Sequence, residues 1–396
     1  MEATYDLKEK TTFYTLKTKE GVIQRRYNQF YQFNVILKER YPFLKLPQFP
    51  SKIWLKTDKS MSVRFIMLDT WINAVLEHPF LKNSTLLFAF MDTHLGLHEF
   101  TGRPRTKSLD QYKLIRVVGR GTFGRVLHAI EKDTNLSVAI KVLKKRVLIE
   151  KNEIKHVMDE RNIMMELHHP FLINLRSSFQ SSTHLFFCMD FINGGELYYH
   201  LQKERRFSEG RTKLYCAEIT AALAYLHDKG FLYRDLKPEN LLLAPDGHIV
   251  LCDFGLAKTC LKDNLQAKSF CGTVEYLCPE ILLRQNYDAT VDFWCLGNVT
   301  YEMLVGVPPF YSTKCEQIYN NILKCKINFP SSFNPNTIDF ISRLLQRNPR
   351  NRLGYKGSNE VMDHLYFEGL DWDKLNKKEY KPQFLPNVVT SVYIGK

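Results

Sequence analysis

Gly119, Gly121 and Gly124 stand at Gly-x-Gly-x-x-Gly spacing between two alternating, β-branched runs, Tyr112–Val118 and Arg125–Ile130. Glycine at such a turn lets backbone N–H groups approach phosphate oxygens with no side chain in the way. A dinucleotide-binding loop would need a helix directly after the glycines and an acid about 20 residues further on. Here Val126 opens a strand instead, and a further strand-like run, Val138–Leu143, follows. The turn therefore predicts a hairpin lid. Leu185–Phe191 reads as another strand, after which the period lengthens to that of helices at Lys213–His227, Val291–Leu304, Cys315–Leu323 and Thr337–Leu345. A strand-rich half followed by a helix-rich half predicts two lobes with a cleft between them.

Two more clusters carry chemistry. Val138-Ala139-Ile140-Lys141 sets one lysine in an alternating strand, where its ammonium can pair with phosphates once its stem is held. Glu160, in the helical run Asn152–Leu167, is the candidate holder. Tyr233-Arg234-Asp235-Leu236-Lys237-Pro238-Glu239-Asn240 is then followed by Asp253-Phe254-Gly255. Phosphoryl transfer needs a carboxylate to orient and deprotonate the attacking hydroxyl, and oxygen ligands for Mg²⁺. Asp235 supplies the first, Asn240 and Asp253 the second, and Lys237 can neutralise charge on the transferring group.

The chain has 396 residues and a net charge of +13, which points to anionic partners. No long Lys/Arg run or aromatic-interleaved basic stripe accompanies the charge, so nucleic acid is not expected. All nine cysteines lie at Cys188 or later, with no Cys-x-x-Cys pair, which predicts reduced thiols in a cytoplasmic protein. There is no membrane-length apolar run and no signal-peptide core. The stretch Asp92–Asp110, polar, basic and broken by Gly102 and Pro104, is the natural domain boundary. Before it, Thr11–Phe33 reads as two strands joined at Lys19-Glu20-Gly21, and Met61–Leu76 as a helix.

Taken together, the clusters from Tyr112 to Phe367 resemble a eukaryotic protein kinase. The resemblance implies that ATP and Mg²⁺ are used, that Glu160 pairs with Lys141, and that Met189 guards the nucleotide site. It also implies that the hinge Asp190–Ile192 meets the adenine, with Gly119, Gly121, Gly124, Val126, Ala139 and Glu196 lining the site, and that Glu280 bridges to Arg352. Tyr233 ahead of Arg234-Asp235, and Phe270-Cys271-Gly272-Thr273 ahead of Cys278-Pro279-Glu280, are similar to the AGC group; Phe191-Ile192-Asn193-Gly194-Gly195-Glu196-Leu197 and Lys155-His156-Val157-Met158-Asp159-Glu160-Arg161-Asn162 look most like its serum/glucocorticoid-regulated kinases. Tyr233 itself reads as a packing residue. For such kinases Glu196, Glu239 and Glu302 are expected to select substrates with basic residues upstream of Ser or Thr. Ser269 is the expected phosphosite of an upstream activating kinase, its phosphate bridging Arg234, Lys258 and His156. The enzyme class expected is non-specific serine/threonine protein kinase; an inactive scaffold, suggested by Val274 and Cys278 near the activation segment, is the alternative. Residues 368–396 read as a short AGC-type tail lacking a hydrophobic motif, so low basal activity and a part-time Lys141–Glu160 pair are expected.

Arg25-Arg26-Tyr27-Asn28-Gln29-Phe30, Pro47-Gln48-Phe49-Pro50-Ser51-Lys52 and Arg64 resemble a PX domain over residues 4–93, a phosphoinositide-binding module. By that resemblance Arg26 takes the 3-phosphate of phosphatidylinositol 3-phosphate, Tyr27 stacks on the inositol, Lys52 takes the 1-phosphate and Arg64 the hydroxyl edge. Peripheral recruitment to endosomal membranes would follow. So close to the start of the chain, the first strand of such a module is expected to be short or missing, leaving an open sheet edge. The fold class expected is α+β: a PX module, then a bilobal kinase over 112–367.

Overall fold

The computed structural model describes residues 2–6, 11–18, 21–40, 46–51, 58–78, 81, 87, 90, 91, 108–259 and 272–387. The chain forms two compact units, Met1–Thr106 and Lys107–Lys396.

The first unit opens with an antiparallel sheet of order β1-β2-β3: β1 Glu2–Asp6, β2 Thr11–Thr18 and β3 Gly21–Arg26. β1 pairs with β2 from Glu2↔Thr15 to Asp6↔Thr11, so the edge expected to be open on β2 is covered. The second strand ends earlier than the sequence suggested, because helix α1 (Tyr27–Arg40) begins directly after Arg26. The Arg26 N–H donates to the side-chain oxygen of Gln29 at 2.7 Å, the return half of a capping box. Aromatic residues favour strands, which disguised a buried set, Tyr27, Phe30, Phe33 and Leu37, that has helical spacing. Helix α2 (Asp58–Glu77) sends Leu68, Trp71, Ile72 and Val75 into the same core, beside Phe90.

In the second unit, β4 (Tyr112–Gly121), β5 (Gly124–Glu131), β6 (Ser137–Lys144), β7 (Leu175–Gln180) and β8 (His184–Asp190) form one antiparallel sheet of order β4-β5-β6-β8-β7. β7 was not anticipated: its Arg176-Ser177-Ser178 run is polar, as an edge strand tolerates. Between β6 and β7 lie α3 (Lys145–Glu150) and α4 (Ile154–Glu166). The β4–β5 register brings Gly121 opposite Gly124, which makes the glycine segment the tip of a hairpin. A Cβ on Gly124 would sit 1.8 Å from the Val142 carbonyl oxygen, so no other residue fits there.

The helical half follows with α5 (Leu197–Glu204) and α6 (Glu209–Asp228), then the short strands β9 (Phe231–Leu232), β10 (Leu241–Leu243), β11 (Ile249–Leu251) and β12 (Lys258–Thr259). Helices α7 (Pro279–Leu282), α8 (Thr290–Val305), α9 (Cys315–Lys324) and α10 (Pro335–Leu344) add to the core, which Val361, Tyr366, Phe367 and Leu375 extend. α8 is apolar nearly all round and is buried along Thr290–Leu304, as expected of a helix at the centre of a lobe. Its left-handed cap, Gly306 at φ 98°, turns the chain out of it.

Candidate active site

The five-stranded sheet has two faces. Leu127, Ala129, Val138, Ile140 and Val142 point into one core cluster, so alternation sends Val126, His128, Ala139 and Lys141 to the opposite face. The register pairs Val126 with Lys141 and His128 with Ala139 on β5–β6, and Ala139 with Met189 on β6–β8. Of the residues predicted to surround a nucleotide, Val126, Ala139, Lys141 and Met189 thus share one face of the sheet. At Gly121 a Cβ would meet nothing within 4 Å, which leaves open space at the tip of the lid.

Lys141 Nζ lies 2.5 Å from Glu160 Oε1 on α4 and 3.7 Å from Asp253 Oδ1. Burial opposes the ammonium charge, but the two carboxylates outweigh it and hold the pKa above the usual lysine value. Lys141 in turn lowers the pKa of Asp253 against the opposing effect of burial. The Lys141–Glu160 pair expected only part of the time is formed here. Asp253 adopts φ 58°, and its Oδ1 accepts from the Gly255 N–H at 3.1 Å.

Asp235 sits in the loop between β9 and β10. Its Oδ2 accepts from Lys237 Nζ and from Asn240 Nδ2, each at 2.9 Å, and its Oδ1 from Thr273 Oγ1 at 3.3 Å. Lys237 also donates to Thr273 Oγ1 at 2.8 Å. Asn240 Nδ2 also donates to the Asp235 carbonyl at 2.8 Å, so only the amide oxygen remains for a metal. One carboxylate and one amide oxygen suit Mg²⁺, which fills its shell with water and phosphate oxygens. Among the described residues no group of three or more His, Cys, Asp and Glu could hold a metal by itself.

Sequence reasoning missed the residue that shapes this loop. Asp292, fully buried on α8, accepts from the backbone N–H of Tyr233 at 3.0 Å and of Arg234 at 2.7 Å, and lies 2.8 Å from His227 Nε2. Arg234 is held at φ 70°, with Nε on the Leu256 carbonyl at 2.7 Å and Nη1 on Tyr287 Oη at 2.9 Å. Tyr233 is buried, donates its hydroxyl to the Cys252 carbonyl and packs edge-on against Phe254, so it is a packing residue. Glu280 and Arg352 form a buried two-pronged pair at 2.6 and 2.9 Å, and Arg352 also donates to the Thr290 carbonyl.

Of the acids predicted to meet substrate, Glu196 immediately precedes α5 without a side-chain capping bond to it, and Glu239 lies half-buried beside Asn240. Glu302 is only 3% exposed and accepts a hydrogen bond from the Tyr276 hydroxyl. Burial pushes its pKa up to about 7, against the Tyr276 bond, with Glu239 and the unforeseen Glu275 adding to the rise. Ser269 lies outside the described residues. Of the groups expected around its phosphate, Arg234 is engaged as above, Lys258 lies on β12, and His156 Nδ1 is 2.6 Å from Glu153 Oε2.

In the first unit Arg64, a residue only 6% exposed, places its guanidinium 4.4 Å over the Tyr27 ring, whose hydroxyl donates to the Pro50 carbonyl at 2.7 Å. Arg26 is the last residue of β3 and stands opposite Phe13, its guanidinium 5.0 Å from that ring. Arg25 is buried and structural, donating to the Phe90 carbonyl at 3.2 Å. Lys52 lies outside the described residues.

Residues 112–367 match the protein kinase domain. The chain belongs to the protein kinase family. Residues 13–94 match the PX domain. The kinase is similar to serine/threonine protein kinase ypkA of Aspergillus fumigatus, 43% identical over 306 residues that make 77% of this chain and 48% of that protein. It is similar to serine/threonine-protein kinase Sgk1 of Danio rerio (46% identical) and of Homo sapiens (47%), each over 290 residues, 73% of this chain and 67% of the relative. This chain therefore spans about half the length of ypkA and about two thirds of each Sgk1. These matches put the kinase in the serine/threonine class. Among the described residues no helix is long and apolar enough to cross a membrane.

Proposed function

We propose that the kinase transfers the γ-phosphoryl group of Mg-ATP to serine or threonine hydroxyls of proteins, with Asp235 as the group that orients the hydroxyl and accepts its proton. The observation that carries this reading is the assembled cluster: Lys141 paired with Glu160, Asp253 beside it, and Asp235 fixed by Lys237, Asn240 and Thr273. Bound Mg-ATP supplies the electrophilic phosphorus and a metal that spreads the developing charge. Lys141 would hold the α- and β-phosphates, and Asn240 and Asp253 the metal. Lys237 would neutralise the transferring group while the bond to the hydroxyl oxygen forms and the bond to the β-phosphate oxygen breaks. The hinge Asp190–Ile192 would meet the adenine under Val126 and Ala139, with Gly119, Gly121 and Gly124 covering the phosphates and Glu196 at the rim.

The same reading extends to partners. Glu239 is close enough to Glu302 to add to the rise in its pKa, and Tyr276 anchors Glu302. Acids gathered in a cleft favour cationic peptides. Basic residues upstream of the target are the proposed recognition signal, and an upstream kinase acting on Ser269 is the proposed activator. For the PX domain, Arg26 with Tyr27, Arg64 and Lys52 is the proposed site for phosphatidylinositol 3-phosphate, recruiting a cytoplasmic kinase to endosomal membranes. The inactive-scaffold alternative rests on Val274 and Cys278. Cys278 is buried just ahead of α7, and Val274 opens the short turn Val274–Tyr276. The deciding experiment is transfer of radiolabelled phosphate from ATP to a basic peptide by wild type and Asp235→Asn. A wild type with no transfer, or an equally active variant, would overturn the assignment.

A further inference from the structure

Two residues beyond Val126, on the same cleft-facing side of β5, the His128 imidazole lies flat against the Phe191 ring. The centroids are 3.9 Å apart and the planes 5° from parallel. Phe191 directly follows β8 and is the middle residue of the proposed hinge. The imidazole is tethered from behind: its Nε2 is 3.1 Å from Ser137 Oγ, at the start of β6. Its Nδ1 is buried without a hydrogen-bond partner. That arrangement suits a neutral ring with its proton on Nε2, because a second N–H would be buried with no acceptor. Burial and the Arg116 charge both lower its pKa, in agreement with the geometry.

The opposite flank of the hinge is fixed separately. Arg176 on β7 holds the Asp190 carboxylate at 2.5 Å, and the Asp190 N–H donates to the Asn174 carbonyl at 3.2 Å. Asp190 is thereby anchored from the β7 side, whereas Phe191 is anchored through its ring to His128 on β5, the strand that carries the lid. We propose that His128 is a positioning residue for the nucleotide: by stacking on Phe191 it holds the hinge backbone at Asp190–Ile192 in register with the roof formed by Val126 and Ala139. This rests on the nucleotide-binding reading given above. The adenine would bind to a hinge already ordered, so the clamp acts on affinity and leaves the transfer step, at Asp235, alone.

The test uses the full chain and three variants: His128→Ala, which removes the stack and the tether; His128→Phe, which keeps a stacking ring without the tether; and Ser137→Ala, which keeps the imidazole alone. Binding of Mg-ADP is measured by calorimetry, KM for ATP and kcat by phosphate transfer, and amide hydrogen exchange at residues 190–193 in nucleotide-free protein. An aromatic stack of this size corresponds to a change of roughly three- to ten-fold in affinity. His128→Ala should weaken Mg-ADP and raise KM for ATP by that factor, leave kcat within about two-fold, and speed hinge exchange. His128→Phe should recover most of the affinity, and Ser137→Ala should fall between. Wild-type affinity and exchange in His128→Ala, or a His128→Phe no better than His128→Ala, would overturn the clamp alone. Failure of the wild type to bind Mg-ADP would overturn the nucleotide reading and the clamp's role with it.

Discussion

Asp292→Asn tests how the catalytic loop is held. The two carboxylate oxygens accept the N–H groups of Tyr233 and Arg234 from a fully buried position. An asparagine has one acceptor oxygen, so whichever way its amide turns, one of those N–H groups faces an NH₂. Leaving a buried donor unpaired costs about 1–3 kcal/mol, and the surviving bond falls to roughly half its charged strength. The expected loss is about 2–4 kcal/mol, equivalent to a drop of about 4–16 °C in the unfolding midpoint of a domain this large. Activity should suffer more than stability does. Arg234 is held at φ 70°, which costs on the order of 1–3 kcal/mol and persists only while its surroundings enforce it. Once its N–H is released, the loop can relax and carry Asp235 with it. A displacement of about 1 Å at a reacting group can lower kcat about 100-fold. Thermal unfolding and phosphate transfer, both measured well below the variant's midpoint, separate the two effects. Mg-ADP affinity should stay within about three-fold, because the hinge and Lys141 are untouched. A variant that keeps kcat within three-fold of wild type, while showing the lowered midpoint, would refute the argument that Asp292 positions Asp235.

Further outcomes are expected at Glu302, Glu280 and Arg26. Glu302 should be protonated below about pH 7 and charged above it; kcat/KM for an arginine-containing peptide should therefore rise between about pH 6 and 8 more steeply than in Glu302→Gln, and identical profiles would remove it from peptide recognition. Because its folded pKa lies above the unfolded one, the same group favours folding at low pH and loses that contribution as pH rises through about 7. Glu280→Gln leaves the Arg352 charge buried with half a partner and should cost about 3–5 kcal/mol in denaturant unfolding, whereas loss of less than about 1 kcal/mol would show the pair to be dispensable. Arg26→Ala should abolish sedimentation of the full chain with phosphatidylinositol 3-phosphate liposomes, and undiminished binding would assign the lipid contact elsewhere.

What could be read from the sequence was set by how local each signal is. The hairpin glycines, Lys141, and the run from Asp235 to Asn240 announce themselves because short backbone segments fix their spacing. Glu160 could be named only as a candidate until the family resemblance paired it with Lys141, since nothing local links it to a lysine on a different element. Asp292 and Thr273 act on the Tyr233–Lys237 loop from 36–59 positions away, a relation that only the folded lobe creates. Glu302 was legible as an acid in the right helix, but its burial under Tyr276 and its raised pKa were not. The error at α1 has the opposite cause: a strong local preference of aromatic residues for strands was overridden by a capped, buried helical face.

Backbone strain ties the chemical groups together. Arg234 and Asp253 are the non-glycine residues of this cluster at positive φ, 70° and 58°. Both conformations are unfavourable for residues with a Cβ, so each must be held from outside. Arg234 is held by Asp292 through its N–H and by Leu256 and Tyr287 through its guanidinium. Asp253 is held by the Gly255 N–H and by the Lys141 charge, which Glu160 fixes in place. The restraints therefore come from α8 for the group that would take the proton, and from α4 and β6 for the group that would hold the metal. Release of Glu160 from Lys141 would loosen Asp253 while leaving Asp235 in its setting. A kinase built this way can lose metal affinity and transfer rate through movement of α4 with the peptide-facing loop unchanged, which is why Glu160→Gln and Asp292→Asn should differ in kind: the first in Mg²⁺ dependence, the second in kcat at saturating Mg²⁺.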